Sequence, residues 1–125
     1  MTENNKPTML YVDDEPINLV LFATSFNKSF NVITAESGNE GLELLKSNPS
    51  ISIVISDMKM PEMSGIEFIK KAKNEFQNIA FFILTGFDLT NEISEALNSG
   101  LIYEYFKKPF DYKEIEMSIQ NAIKK

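Results

Sequence analysis

The stretch Met9-Leu10-Tyr11-Val12-Asp13-Asp14-Glu15-Pro16 decides how the rest of the chain is read. Four consecutive apolar residues have the length and continuity of a strand covered on both faces. Two aspartates follow at once, and Pro16 suits the first turn of a helix, with Asp14 and Glu15 at that helix's positive end. A buried strand passing through an acidic pair into a helix is the start of a βα unit. The acidic pair is also an electrostatic problem. Clustered carboxylates repel one another, and a cation or a proton has to resolve the repulsion.

Outward from this stretch the same pattern repeats. Apolar runs recur at residues 32–35, 51–55, 79–84 and 102–106, the first of them interrupted by Thr34 and suited to an edge strand. Helical periodicity fills the intervals. The first helix is predicted from Pro16 to about residue 28, burying Ile17, Val20, Leu21 and Phe22 or their neighbours. The second covers residues 38–46 with Leu42 and Leu45 inward, and Asn48-Pro49 stops it. The third runs over 64–76 on Ile66, Ile69 and Ala72. The fourth follows Asp88 or Thr90, groups Leu89, Ile93, Ala96 and Leu97 on one face, and ends at a left-handed cap in Asn98-Ser99-Gly100. The fifth starts near Asp111 and packs Ile115, Ile119, Ala122 and Ile123. Five βα repeats without a long linker or a shift in composition predict one α/β domain with a doubly wound parallel sheet.

Composition narrows the functions open to such a domain. At 125 residues, 43% hydrophobic and 24% charged, the chain matches one globular core. A net charge of −6 argues against direct binding to nucleic acid. The chain has no cysteine, which excludes disulfides and thiolate metal sites. It also has no histidine, so it lacks the commonest general base and cannot itself carry a phosphohistidine. No apolar run reaches membrane-spanning length, and the polar start at residues 1–6 lacks a signal-peptide core. A cytoplasmic location without membrane contact is expected.

In doubly wound folds the ligand lies beyond the carboxyl ends of the strands. Asp13 and Asp14 close the first apolar run, Asp57 follows Ile53-Val54-Ile55-Ser56, Thr85 ends the fourth run and Lys108 follows the fifth. Distant in sequence, these residues are predicted to meet on one rim. Carboxylates, one hydroxyl and one lysine suggest Mg²⁺ and a phosphoryl group. Each residue alone has a plainer reading. Asp14 and Glu15 can cap a helix, Asp57 can serve a turn, Thr85-Gly86 can be a strand exit, and Lys107-Lys108 can be a solvated pair. Met58 and Met60 read as core filler near the rim. Only their conjunction argues otherwise.

Over essentially its full length the chain resembles the receiver domain of bacterial response regulators, the chemotaxis-regulator-like modules of two-component signalling. The residues that carry the resemblance are Asp13-Asp14, Asp57, the loop Met60-Pro61-Glu62-Met63-Ser64-Gly65, Thr85-Gly86, Tyr105 and Lys108-Pro109-Phe110. The resemblance implies a flavodoxin-like (βα)5 three-layer sandwich, with a five-stranded parallel sheet of order 2-1-3-4-5. One receiver domain would occupy residues 1–125, structured from about 7 to 124. Asp57 would be the phosphoacceptor, taking a phosphoryl group from a sensor histidine kinase or a histidine phosphotransfer protein. Mg²⁺, or Mn²⁺ in its place, would be held by Asp14 directly, Asp13 through water, Asp57, and the backbone carbonyl of Lys59. Thr85 and Lys108 would hold phosphoryl oxygens, with Lys107 the nearer competitor and the Lys108–Pro109 bond a candidate cis peptide. Gly86 would leave room beside the phosphoryl group. Tyr105 would turn inward when Thr85 moves, altering the surface of the fourth helix, fifth strand and fifth helix.

Two positions are expected to tune the lifetime of the phosphorylated state. Lys59 is placed to reach over the phosphoryl group, and Phe87 is apolar where an acid or amide would orient water, so slow self-dephosphorylation is expected. Apart from its own phosphoryl transfer and dephosphorylation, no enzymatic activity is expected. A phosphatase of the haloacid-dehalogenase type would need a second aspartate where Lys59 stands, and a nucleotide-binding module would need a glycine-rich first turn. A non-phosphorylatable interaction domain of the same fold would not need the complete acidic set. The output is open: a downstream protein, a homodimer through the fourth helix, fifth strand and fifth helix, or a fused domain. Residues 96–103 are locally similar to receivers fused to HD-type phosphodiesterases.

Overall fold

Period-two alternation along each strand sends successive side chains to opposite faces of a sheet, and here both faces are covered. The structure, a computed structural model, describes residues 6–86 and 89–124. In chain order the elements are β1 (Thr8–Val12), α1 (Pro16–Phe26), β2 (Asn31–Ala35), α2 (Gly38–Ser47), β3 (Ile51–Asp57), α3 (Gly65–Glu75), β4 (Ala80–Thr85), α4 (Asn91–Asn98), β5 (Glu104–Lys107) and α5 (Tyr112–Ile123). The strands form one parallel sheet in the order β2-β1-β3-β4-β5, as the resemblance implied, with β2 on an edge.

Leu10, Val12, Val54, Phe81 and Ile83 point to one face and pack with α2, α3 and α4. Met9, Tyr11, Ile53, Ile55, Phe82, Leu84 and Phe106 point to the other and pack with α1 and α5. The helix starts follow from side-chain chemistry. Ser37, Ser64, Thr90 and Asp111 accept from backbone N–H groups of α2, α3, α4 and α5, and Ser64 with Glu67 completes a capping box. At the end of α4, Leu101 N–H donates to Ala96 O (2.9 Å) and Gly100 N–H to Leu97 O (3.1 Å). This is a Schellman motif, and its left-handed position (φ +81°) falls on Gly100, as the sequence predicted.

Two expectations need correction. The first helix stops at Phe26 and buries Leu19, Phe22 and Phe26. Of the four residues predicted to face inward, only Phe22 does; Ile17, Val20 and Leu21 are 61%, 60% and 54% exposed. Aromatic stacking selects the face: the Phe22 ring lies 3.9 Å from Tyr11 and 4.4 Å from Phe26, centroid to centroid. Leu89 precedes α4 and is exposed, while Ile93 and Ala96 are buried as expected. Among the described residues, no helix is long and apolar enough to cross a membrane.

Candidate functional site

Parallel pairing brings the strand ends level. Val12 lies opposite Ser56, Asp57 opposite Leu84, and Thr85 opposite Lys107. Asp13, Asp14, Asp57, Thr85 and Lys108 therefore reach the same rim from four strand ends. Asp13, Asp14 and Asp57 each place one carboxylate oxygen within 4.8 Å of the others. Asp13 and Asp57 are buried and Asp14 is partly exposed, so the cluster opens on one side.

Asp13 is held from several directions. Its backbone N–H donates to Ala35 O, tying the strand end to β2 (3.1 Å). Its Oδ1 accepts from the Glu15 N–H (3.0 Å) and the Asn18 side-chain amide (3.5 Å). Its Oδ2 accepts from the Tyr11 hydroxyl at 2.7 Å and lies 3.4 Å from Lys108 Nζ. Asp13 thus fixes the turn into α1, whereas Glu15, at that helix's N-cap, makes no side-chain capping bond.

Lys108 bridges the cluster. Its Nζ lies 3.1 Å from Asp57 Oδ1, so Lys108 is the lysine that reaches in, while Lys107 sits exposed on β5. The Lys108 N–H donates to Thr85 O (2.8 Å), and the Lys108–Pro109 bond is cis, as foreseen. Beyond Asp57 the chain reverses sharply. Met63 N–H donates to Pro61 O (2.7 Å) across Glu62 at φ +71°, a γ-turn. Gly65 N–H then returns to Met58 O (2.8 Å), closing the loop beneath Asp57. Met58 and Met60 pack partly buried against the core, in line with their reading as filler.

Charge and burial set the protonation tendencies. Burial raises the Asp57 carboxyl above its ordinary value, Lys108 opposes that rise, and the Asp13 and Asp14 carboxylates add to it. Burial works to lower the Lys108 ammonium, but Asp57 and Asp13 together outweigh it and leave it raised. Burial and the bond to Asp13 raise the Tyr11 phenol, which keeps its proton as a donor. Hard carboxylate oxygens, in a chain lacking both histidine and cysteine, suit a hard divalent cation rather than a softer metal.

Thr85 is buried at the end of β4. Gly86 is exposed, and a Cβ added there would meet no described atom within 4 Å. Tyr105 is half-buried on β5, against the side of the sheet that α2, α3 and α4 cover. Pro109 and Lys59 are exposed, Lys59 two residues past Asp57. Phe87 lies outside the described residues. Sequence reading missed Tyr11, taken only as part of an apolar run. The available signal was its spacing: residues i and i+2 of a strand share a face, which sets Tyr11 beneath Asp13.

Comparison with known proteins agrees with this geometry. The family model of the response regulator receiver domain matches residues 9–120. The hydrogenase transcriptional regulatory protein HoxA of Cupriavidus necator is 27% identical over 96% of this chain and 25% of its own length. Histidine kinase P4 of Formosa agariphila is 34% identical over 98% of this chain and 9% of its own. The chain therefore spans a quarter or less of these two relatives. A crystal structure of a response regulator receiver domain protein from Clostridium thermocellum superposes with a TM-score of 0.82 at 32% identity, covering 94% of each chain. A match of this extent, on a sheet of this order with these residues on its rim, means that the chain belongs to the response regulator receiver domains of two-component systems.

Proposed function

We propose that this receiver domain, one unit over about residues 7–124, takes a phosphoryl group on Asp57 and changes a surface elsewhere in response. One observation carries the reading: Asp57 is a buried carboxylate 3.1 Å from Lys108 Nζ, with Asp13 and Asp14 close enough to share a cation. A structural ion pair would not need the two further carboxylates, which repel Asp57 unless a cation joins them.

In the proposed reaction an Asp57 oxygen forms the new O–P bond while the donor's P–N bond breaks, its electron pair leaving with the imidazole nitrogen. The chain has no histidine, so the phosphohistidine belongs to a partner, a sensor histidine kinase or a histidine phosphotransfer protein. Bound Mg²⁺ would supply positive charge to the phosphoryl oxygens, held by Asp14, Asp57, the Lys59 carbonyl and, through water, Asp13. Lys108 turns from Asp57 to a phosphoryl oxygen, and Thr85 donates its hydroxyl to another. Tyr105 then follows Thr85 and reshapes α4, β5 and α5, the surface offered to an output domain, a downstream protein or a second copy. The proposed setting is the cytoplasm.

The protein donor has a place to dock. Ile17, Val20 and Leu21 form an exposed apolar stripe in the first two turns of α1, whose N-terminus adjoins the site. Intact mass after incubation with a small phosphodonor and Mg²⁺ tests the reaction. One added phosphoryl group, absent in Asp57→Ala, is expected; steady phosphate release without an adduct would instead make the protein a phosphatase.

A further inference from the structure

We propose that Tyr11 is a positioning residue for the metal site, orienting the Asp13 carboxylate and limiting that carboxylate's hold on Lys108. The inference rests on the metal-binding reading of the acidic cluster.

Asp13 is buried, so each of its oxygens needs a donor. Oδ1 is served by the Glu15 N–H and Asn18. Oδ2 has two donors, the Tyr11 hydroxyl at 2.7 Å and Lys108 Nζ at 3.4 Å. The shorter bond comes from the neutral group. The Tyr11 ring has little freedom to drift, because it is 1% exposed and stacked on Phe22 at 9° between planes. A phenol fixed this way sets the carboxylate plane of Asp13.

Two consequences follow. The first is orientation: Asp13 would reach the metal through water, and loss of an outer-shell partner that orients such a site costs about 10- to 100-fold in affinity. The second concerns Lys108, which is shared between Asp13 and Asp57. With the hydroxyl gone, Asp13 Oδ2 has only the lysine, and the ammonium shifts from Asp57 toward Asp13. With the hydroxyl present, Lys108 is free to leave Asp13 without stranding a buried carboxylate. Tyr11 thereby separates the orientation of Asp13 from the motion of Lys108.

Tyr11→Phe keeps the ring and removes only the donor. Mn²⁺ is the probe, titrated at a temperature well below unfolding, with free Mn²⁺ read by electron paramagnetic resonance. Mn²⁺ binding at least about 10-fold weaker than in the parent is expected. In the double variant with Lys108→Met, the penalty is expected to change, because the two donors share one oxygen. A purely structural tyrosine would lower the melting temperature and leave Mn²⁺ affinity within twofold, and that result overturns the proposal. Should Tyr11→Phe not fold, the parent protein carries the test. Among its four tyrosines, the Tyr11 ¹³Cζ resonance should shift on Mg²⁺ addition, and its indifference to saturating Mg²⁺ also overturns the proposal. A parent that binds no Mn²⁺ would instead refute the metal-site reading itself.

Discussion

Gly65 sits so close to Asp57 that a methyl group on it would collide with the Asp57 carbonyl oxygen and press on Ile83. The first residue of α3 is thus glycine because a strand backbone passes beside it. Helix propensity alone would favour alanine there by up to about 1 kcal/mol. The collision is with backbone, which cannot rotate away, so it wins. Gly65→Ala is expected to lower stability by about 1–3 kcal/mol, read as a lower urea midpoint with an unchanged slope.

Asp57 should cost the metal-free protein stability. Its folded carboxyl is raised by burial from the ordinary 3.8, so the folded chain binds the proton more tightly than the unfolded chain does. Stability then falls as pH rises from that ordinary value through the folded one, and the cost persists in full above it. Asp57→Asn is expected to stabilise the metal-free protein by about 1 kcal/mol at neutral pH, with the gain vanishing below the ordinary carboxyl value. A neutral-pH loss in the melting scan would mean that the Lys108 pair outweighs burial.

Lys108 works in the opposite sense. Its ammonium is raised, so its contribution is complete below the ordinary lysine value of 10.5 and is lost as pH climbs through the folded one. Lys108→Met leaves Asp13 and Asp57 facing each other. The lysine side chain is 30% exposed, which moderates the effect to roughly 1–2 kcal/mol at neutral pH without metal. Saturating Mg²⁺ should narrow the gap to the parent, and EDTA should restore it. Thermal midpoints in the two conditions measure both.

The stripe on α1 should separate protein donors from small ones. Val20 is 60% exposed, so Val20→Asp should change stability by no more than about 0.5 kcal/mol. Phosphorylation by a histidine kinase is expected to slow at least about tenfold, the equivalent of 1.4 kcal/mol. The rate with a small phosphodonor should stay unchanged. Equal slowing with both donors would place the defect in the site.

Lys59 and Phe87 are proposed to tune the lifetime of the phosphorylated state. Phe87→Glu is expected to supply a group that orients water, and Lys59→Asn to remove the long side chain two residues past Asp57. Each is expected to speed decay several-fold, followed by loss of the added mass over time. Decay equal to or slower than the parent's in both variants would remove lifetime tuning from these positions.

Much of this was legible in the sequence because two periodicities differ. Continuous apolar runs marked the strands, and strand ends carried the polar residues, so Asp13, Asp57, Thr85 and Lys108 could be gathered before any coordinates. The face of α1 could not be read the same way. Ile17, Leu19, Val20, Leu21 and Phe22 leave the helix apolar on every side, and periodicity has no vote where all faces match. A ring stacked on Tyr11 decided it, and that contact joins separate elements. Tyr11's bond to Asp13 was hidden for a related reason: a residue counted as apolar for its ring also carries a hydroxyl.

The hydrogen bond from Lys108 N–H to Thr85 O has a mechanical meaning. It ties the tip of β4 to the segment that follows β5, so the backbone positions of Thr85 and Lys108 are fixed relative to each other. Tyr105 stands on the same edge strand, opposite Ile83 of β4, so the tie closes the end of the ladder that carries it.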